Sequence, residues 1–90
     1  MSDLRAEFDS MVDYVKTAEG SFKPTQELKL NLYALFKQAS DGDVKGKRPG
    51  LLDLVGRAKF DAWAKLKGTG ANDAMQSYID TVTSLKAKNS

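Results

Sequence analysis

The sequence predicts an all-α domain built from four helices. Three observations carry that expectation. Apolar residues recur every three or four positions in four separate segments. Each segment is bounded by helix-capping residues, glycine or proline. No alternating apolar–polar run is flanked by hairpin turns, so strands are not indicated.

The first helix is expected over residues 3–18. Leu4, Phe8, Met11, Val12 and Val15 form one stripe, and Ser2 or Asp3 supplies a cap. Gly20 and Pro24 punctuate the connection that follows. Thr25 then offers an N-cap, with Glu27 in the first turn of a helix expected over 25–40. Leu28, Leu32, Leu35, Phe36 and Ala39 repeat the spacing, and Gly42 is placed to close the helix in a left-handed C-cap.

The stretch from Asp41 to Gly50 is the longest loop and holds Gly42, Gly46, Pro49 and Gly50. A loop of that length can cross a bundle, so its two helices need not be antiparallel neighbours. The third helix is expected over 53–67. Its apolar side is read as Leu51, Leu54, Val55, Ala58, Ala62, Trp63 and Leu66, with Gly68 at the end. The fourth is expected over 70–86, with Ala71, Ala74, Met75, Tyr78, Val82 and Leu85 facing inward and Lys86 favourably placed in its last turn.

Composition bounds what such a domain can do. The chain has 90 residues, 41% apolar and 29% charged, which suits one globular domain over 1–90. It holds no cysteine and no histidine. That excludes disulfides, thiolate zinc sites, imidazole metal ligation and the Ser-His-Asp or Cys-His constellations. The expectation is a binding protein with no catalytic residues, no metal and no cofactor. A net charge of +2 gives no ground for nucleic-acid binding. The start carries no basic-then-apolar leader, and no apolar stretch reaches the length of a membrane span. A cytoplasmic monomer without stable membrane insertion is expected.

Two motif fragments are set aside. Asp41, Asp43, Lys45 and Gly46 resemble the start of a calcium loop, but Lys45 and Leu52 stand where ligands are required. Gly68 and Gly70 resemble a dinucleotide fingerprint, but a helix precedes them and the third glycine is Asp73. Phe8, Phe36, Phe60 and Trp63 are read as core.

The second face of the second helix is more informative. Leu30, Tyr33 and Lys37 lie off its main stripe, and Tyr33 and Lys37 are neighbours one turn apart. Lys59 and Tyr78 offer the same pairing of types on the third and fourth helices, and Lys16 lies near the end of the first. Boundary tyrosines and solvated lysines account for these positions. So does a shallow site with aromatic platforms and ammonium groups, which is suited to a base carrying phosphates.

The run from Leu32 to Ser40, with Gly42 and Asp43, resembles the acyl-CoA-binding protein family. The likeness continues through Arg48, Pro49, Gly50 and Asp53, then Gly56 to Trp63, Leu66 to Gly68, Ala74, Met75, Tyr78 and Ile79. It covers Phe8 to about Leu85. The resemblance implies an up-down-down-up four-helix bundle that binds medium- and long-chain fatty acyl-CoA esters in a bowl at one end. It implies an intracellular carrier and pool former that serves acyl-CoA-using enzymes. Carried over by position, Tyr33, Lys37 and Lys59 would hold the 3′-phosphate and adenine end, Tyr78 would line the site against the nucleotide, and Lys16 would reach the phosphates. Met11, Val12 and Leu30 would form the acyl-chain rim, with Phe36 also at the ligand. Phe36 stands where the family usually has tyrosine and Phe60 where it has tryptophan, and the Ala18–Pro24 connection is about two residues longer than is common. A helical protein-interaction adaptor using Tyr33 and Tyr78 is the alternative reading.

Overall fold

The computed structural model describes residues 3–17 and 25–89. Four helices are present: α1 (Leu4–Thr17), α2 (Gln26–Asp41), α3 (Leu54–Ala64) and α4 (Ala71–Asn89). Among the described residues there are no strands. Ser2, and the connection that contains Gly20 and Pro24, lie outside the described residues.

The helix starts follow from side-chain caps. The Asp3 carboxylate accepts from the Ala6 N–H at 3.1 Å, the Thr25 hydroxyl from Leu28 N–H at 3.1 Å, and the Asp53 carboxylate from Gly56 N–H at 2.9 Å. At the end of α2, Gly42 donates to the Gln38 carbonyl at 3.1 Å. Its φ of +83° and ψ of −151° are not the left-handed helical pair the sequence suggested. They lie in a region that only glycine adopts without strain.

Two boundaries differ from expectation. Regular α3 stops at Ala64, three residues short of Lys67. There the turn tightens: Leu66 N–H bonds to Trp63 O and Lys67 N–H to Ala64 O, and Gly68 follows at φ +92°. α4 runs on to Asn89, past the expected Lys86, through residues that favour helix.

Contacts between named residues fix the directions. Tyr33 on α2 meets Lys59 on α3, and one turn later Lys37 meets Trp63. Matching ascending positions mean that α2 and α3 run parallel. Phe8 on α1 meets Tyr78 on α4, and Tyr14 meets Lys86, so α1 and α4 are also parallel. The short Lys65–Gly70 link returns α4 along α2. The topology is up-down-down-up. α4 packs on α1 and α2, and α3 packs on α2 alone. The result is a slab 39 × 32 × 17 Å.

The core lies where α1, α2 and α4 meet. Phe8, Leu32, Leu35, Ala39, Ala74, Met75, Tyr78, Ile79 and Val82 are buried there. Phe36 and Phe60, expected in the core, are only half-buried. Ala71 is exposed. A larger correction concerns α3. Leu51, Leu54 and Val55, read as its inward side, are solvent-exposed. α3 has one helical neighbour, α2, and meets it through Lys59 and Trp63. Among the described residues, none covers Leu54 and Val55 in its first turn.

A polar clamp ties the ends together. Gln38 is buried, and its amide donates to Asp43 and to the Thr69 carbonyl, both at 2.8 Å. The same Asp43 oxygen accepts from Gly68 N–H at 2.9 Å. Trp63 donates its indole N–H to the Gly42 carbonyl at 2.8 Å. These bonds seat the α3–α4 turn on the C-terminus of α2.

Candidate functional site: an aromatic–ammonium surface beside an open hollow

The parallel pairing of α2 and α3 builds one half of the site. α2 presents Tyr33 and Lys37 one turn apart, and α3 presents Lys59 beside them. The Lys59 ammonium lies 5.2 Å from the centroid of the Tyr33 ring. The Lys37 ammonium lies 5.0 Å from the Trp63 ring and pairs with the Asp41 carboxylate. The sequence suggested different partners, Tyr33 with Lys37 and Lys59 with Tyr78. Parallel packing instead sets each ammonium over a ring of the facing helix, an arrangement worth roughly 0.5–1 kcal/mol at an exposed site.

The Lys37 proton is held more firmly than usual, first through its hydrogen bond to Asp41. The reciprocal effect keeps the Asp41 carboxyl below its ordinary range. Lys59 is exposed and, among the described residues, makes no ion pair. It is therefore the cation of this pair that an arriving anion meets first.

The other half of the site is an open hollow of about 670 Å³ between α1 and α2. Ala6, Asp9, Ser10, Val12, Asp13 and Lys16 line it from α1, and Phe36 from α2. α1 and α2 both pack closely on α4, and meet each other at a distance spanned by long side chains. Phe36 stacks on Phe8 with centroids 6.1 Å apart, and Phe8 meets the edge of Tyr78 at 5.1 Å. An aromatic row thus runs from the hollow into the core. Asp9 and Asp13 disfavour a bare anion in the hollow, so its Val12–Phe36 floor suits the uncharged part of a ligand.

The sequence-derived residues fall into three groups. Tyr33, Lys37 and Lys59 come together on the α2–α3 face. Val12, Lys16 and Phe36 surround the hollow, while Met11 and Leu30 are half-buried nearby on the same two helices. Tyr78 is only 4% exposed and belongs to the core. Burial pushes its hydroxyl up to about 12. Asp41 as a rival for Lys37, and Trp63 as its platform, were not singled out from sequence. The i,i+4 spacing of Lys37 and Asp41 was the available signal for the first. No local signal pointed to the second.

The two motif fragments find structural uses. Asp41 pairs with Lys37, and Asp43 accepts from Gln38 and Gly68, so neither carboxylate stands open for a cation. Among the described residues no group of three or more metal-ligating side chains exists. Gly68 and Gly70 form the α3–α4 turn.

Comparison with known proteins gives a consistent result. A family profile described as "Acyl CoA binding protein" matches residues 5–82. An acyl-CoA-binding protein homolog of Manduca sexta is 48% identical over 85 residues, covering 93% of this chain and 92% of that protein. One of Drosophila melanogaster is 46% identical over 82 residues, covering 91% and 93%. The crystal structure of an acyl-CoA-binding protein from Moniliophthora perniciosa superposes with a TM-score of 0.90 at 42% identity, covering 99% of this chain and 84% of that one.

Proposed function

This chain belongs to the acyl-CoA-binding protein family, and we propose that it binds medium- and long-chain fatty acyl-CoA esters as an intracellular carrier and pool former. The observation that carries this reading is the juxtaposition just described. An ammonium-and-ring surface at Tyr33, Lys37 and Lys59 shares α2 with Phe36, which together with Ala6 and Val12 gives the neighbouring hollow its apolar part. A ligand that is an anion at one end and an alkyl chain at the other matches both.

In this reading Lys59 and Lys37 meet the 3′-phosphate, and the Tyr33 ring carries the adenine. Lys16 reaches the remaining phosphates from the rim of α1. Met11, Val12, Leu30 and Phe36 flank the acyl chain. Tyr78 has its ring committed to the core against Phe8, so it backs the hollow and does not touch the nucleotide. The domain, 1–90, carries the ester without turning it over and needs no metal or cofactor. It acts as a monomer in the cytoplasm, and acyl-CoA-using enzymes receive the ester.

The magnitudes divide the work. Each charge-assisted bond to phosphate contributes about 1.5–3 kcal/mol. Each buried methylene adds about 0.8 kcal/mol, so a dozen of them outweigh any single lysine. The tail sets affinity and the nucleotide sets specificity.

Calorimetric titration with a series of acyl-CoA lengths tests the proposal. Affinity should rise from octanoyl to palmitoyl, and free CoA and free fatty acid should bind far more weakly. The ester should be recovered intact after incubation. Equal affinity for octanoyl- and palmitoyl-CoA would refute the division of work, and hydrolysis of the ester would refute the carrier role.

A further inference from the structure

The most exposed apolar groups of the described residues lie together, away from the hollow. Leu51 is 78% exposed, Leu52 100%, Leu54 74% and Val55 59%. Single exposed aliphatics are ordinary, but four within five residues form a patch that calls for a cause. The patch is held rigidly. The Asp53 N–H bonds to the Gly50 carbonyl at 3.0 Å, which closes the turn beneath Leu51 and Leu52. Asp53 then caps α3 at Gly56. Arg48 grips Asp61 through two bonds of 2.9 and 2.6 Å, and Arg57 reaches the Pro49 carbonyl at 3.3 Å. The loop is tied down on both sides, and its aliphatic side chains still point away from the protein.

Basic residues flank this tip on both sides in the sequence and form its collar. Residues 45–59 contain Lys45, Lys47, Arg48, Arg57 and Lys59 against the single acid Asp53, a net +4 in a chain whose total is +2. Asp61 pairs with Arg48 and also lies near Arg57, and Asp41 lies near Lys45, so the collar is partly answered from its own flanks and stays net positive.

We propose that the Leu51–Val55 knuckle docks this protein on an anionic lipid bilayer. Its aliphatic side chains would enter between headgroups while Lys45, Lys47, Arg57 and Lys59 meet lipid phosphates. Charge complementarity chooses this occupant. A second copy would bring two basic collars together. The patch is also aliphatic throughout, with Leu52 fully exposed and no aromatic anchor among its residues, so it fits a deformable phase better than a shaped protein pocket. Docking here is peripheral, since no helix among the described residues is long and apolar enough to cross a membrane. Lys59 belongs to both the collar and the α2–α3 surface, so docking brings that surface to the headgroups. The docking step does not depend on the ligand reading above, although the two together describe a carrier that loads an amphiphile where it partitions.

Flotation of the full chain with vesicles, in the absence of any acyl-CoA, tests the proposal. The protein should float with phosphatidylcholine vesicles containing about one-third phosphatidylserine, and much less with pure phosphatidylcholine. The Leu52→Ser/Leu54→Ser double variant should lose vesicle affinity by roughly tenfold or more. Lys45→Ala/Lys47→Ala should lose it several-fold and show a shallower salt dependence. Both variants should unfold at the wild-type urea midpoint, and palmitoyl-CoA affinity in solution should stay within about twofold. Should the double variant be destabilised, Leu52→Ser alone is the deciding variant, since Leu52 touches nothing it could unfold. Four results would overturn the proposal: wild-type protein that does not float; leucine variants that float as well as wild type; leucine variants that lose palmitoyl-CoA affinity in proportion, which would make the patch a wall of the ligand site; and a wild-type dimer in sedimentation that the leucine substitutions abolish, which would assign the patch to a second copy. Failure of acyl-CoA binding with flotation intact would overturn the proposed function and leave the docking surface standing.

Discussion

Replacing Lys59 by alanine separates the ligand's contribution from the fold's more cleanly than any other single change. Lys59 is exposed on α3, makes no ion pair among the described residues, and touches the fold through the Tyr33 ring at 5.2 Å. Losing that contact costs roughly 0.5–1 kcal/mol of stability, which shifts the melting temperature of a domain this small by a few degrees. Losing a charge-assisted bond to phosphate costs about 1.5–3 kcal/mol of binding, or roughly 10- to 150-fold in Kd. Calorimetric titration with palmitoyl-CoA at low ionic strength, run beside a urea melt, reads both quantities. Lys59→Ala should lose affinity by that factor while unfolding within about 1 kcal/mol of wild type. Lys59→Arg, which keeps the charge, should recover most of the loss. A 3′-dephospho ester supplies the second arm of a double-mutant cycle: wild type should bind it more weakly, and Lys59→Ala should then cost little more. A Kd for the alanine variant within twofold of wild type would refute the assignment. So would a stability loss of several kcal/mol, because Lys59 would then be a structural residue.

Further predictions concern the groups around this site and in the core. Asp41 competes with a ligand phosphate for Lys37, so Asp41→Asn should tighten palmitoyl-CoA binding a few-fold in calorimetry. Weaker binding would show instead that Asp41 positions Lys37. The Asp43, Asp61 and Asp41 carboxyls lie below the ordinary value of 3.8, held there by the Gly68 N–H and Gln38 amide, by Arg48 and by Lys37 respectively. The unfolded chain takes up these protons first, so their stabilisation is complete above that value and is lost as the pH falls through the lowered ones. Urea melts should show stability falling below about pH 4, and less steeply in Asp43→Asn. With no histidine in the chain, no side chain of that type adds a slope between about pH 5 and 8. Tyr78 runs the opposite way. Its folded value of about 12 against an ordinary 10 means that stability is full below 10 and declines as the pH climbs toward 12. Ultraviolet titration should show one tyrosine ionising late, and Tyr78→Phe should remove it; a late step that survives this substitution would place the buried hydroxyl elsewhere.

Most of the helical framework is legible in the sequence. Asp3, Thr25 and Asp53 cap because their short side chains reach back to a free N–H, and that is local chemistry. The stripes of α1, α2 and α4 point to the core because all three helices have neighbours to bury them. The same reading misplaces the first turn of α3. Periodicity reports which face is apolar and says nothing of whether another element covers it. Leu51, Leu54 and Val55 have the pattern of a core face, and among the described residues none covers them. Phe36 is left half-buried because it lines the open hollow between α1 and α2, and Phe60 because α3 packs on α2 alone.

The sequence by itself determined the helices, the absence of histidine and cysteine chemistry, and a family pattern extending from Phe8 to about Leu85. Each of these rests on identity or on spacing within a turn or two. Tertiary structure decided which partners the off-stripe residues meet. Tyr33 faces Lys59 and Lys37 faces Trp63 only because a long loop lets α2 and α3 run parallel. The hollow between α1 and α2 opens where both helices pack most closely on α4 and reach each other through Phe8 and Phe36. Such contacts join residues 20 or more positions apart, and no local propensity encodes them. Their geometry is set by how the helices share one core.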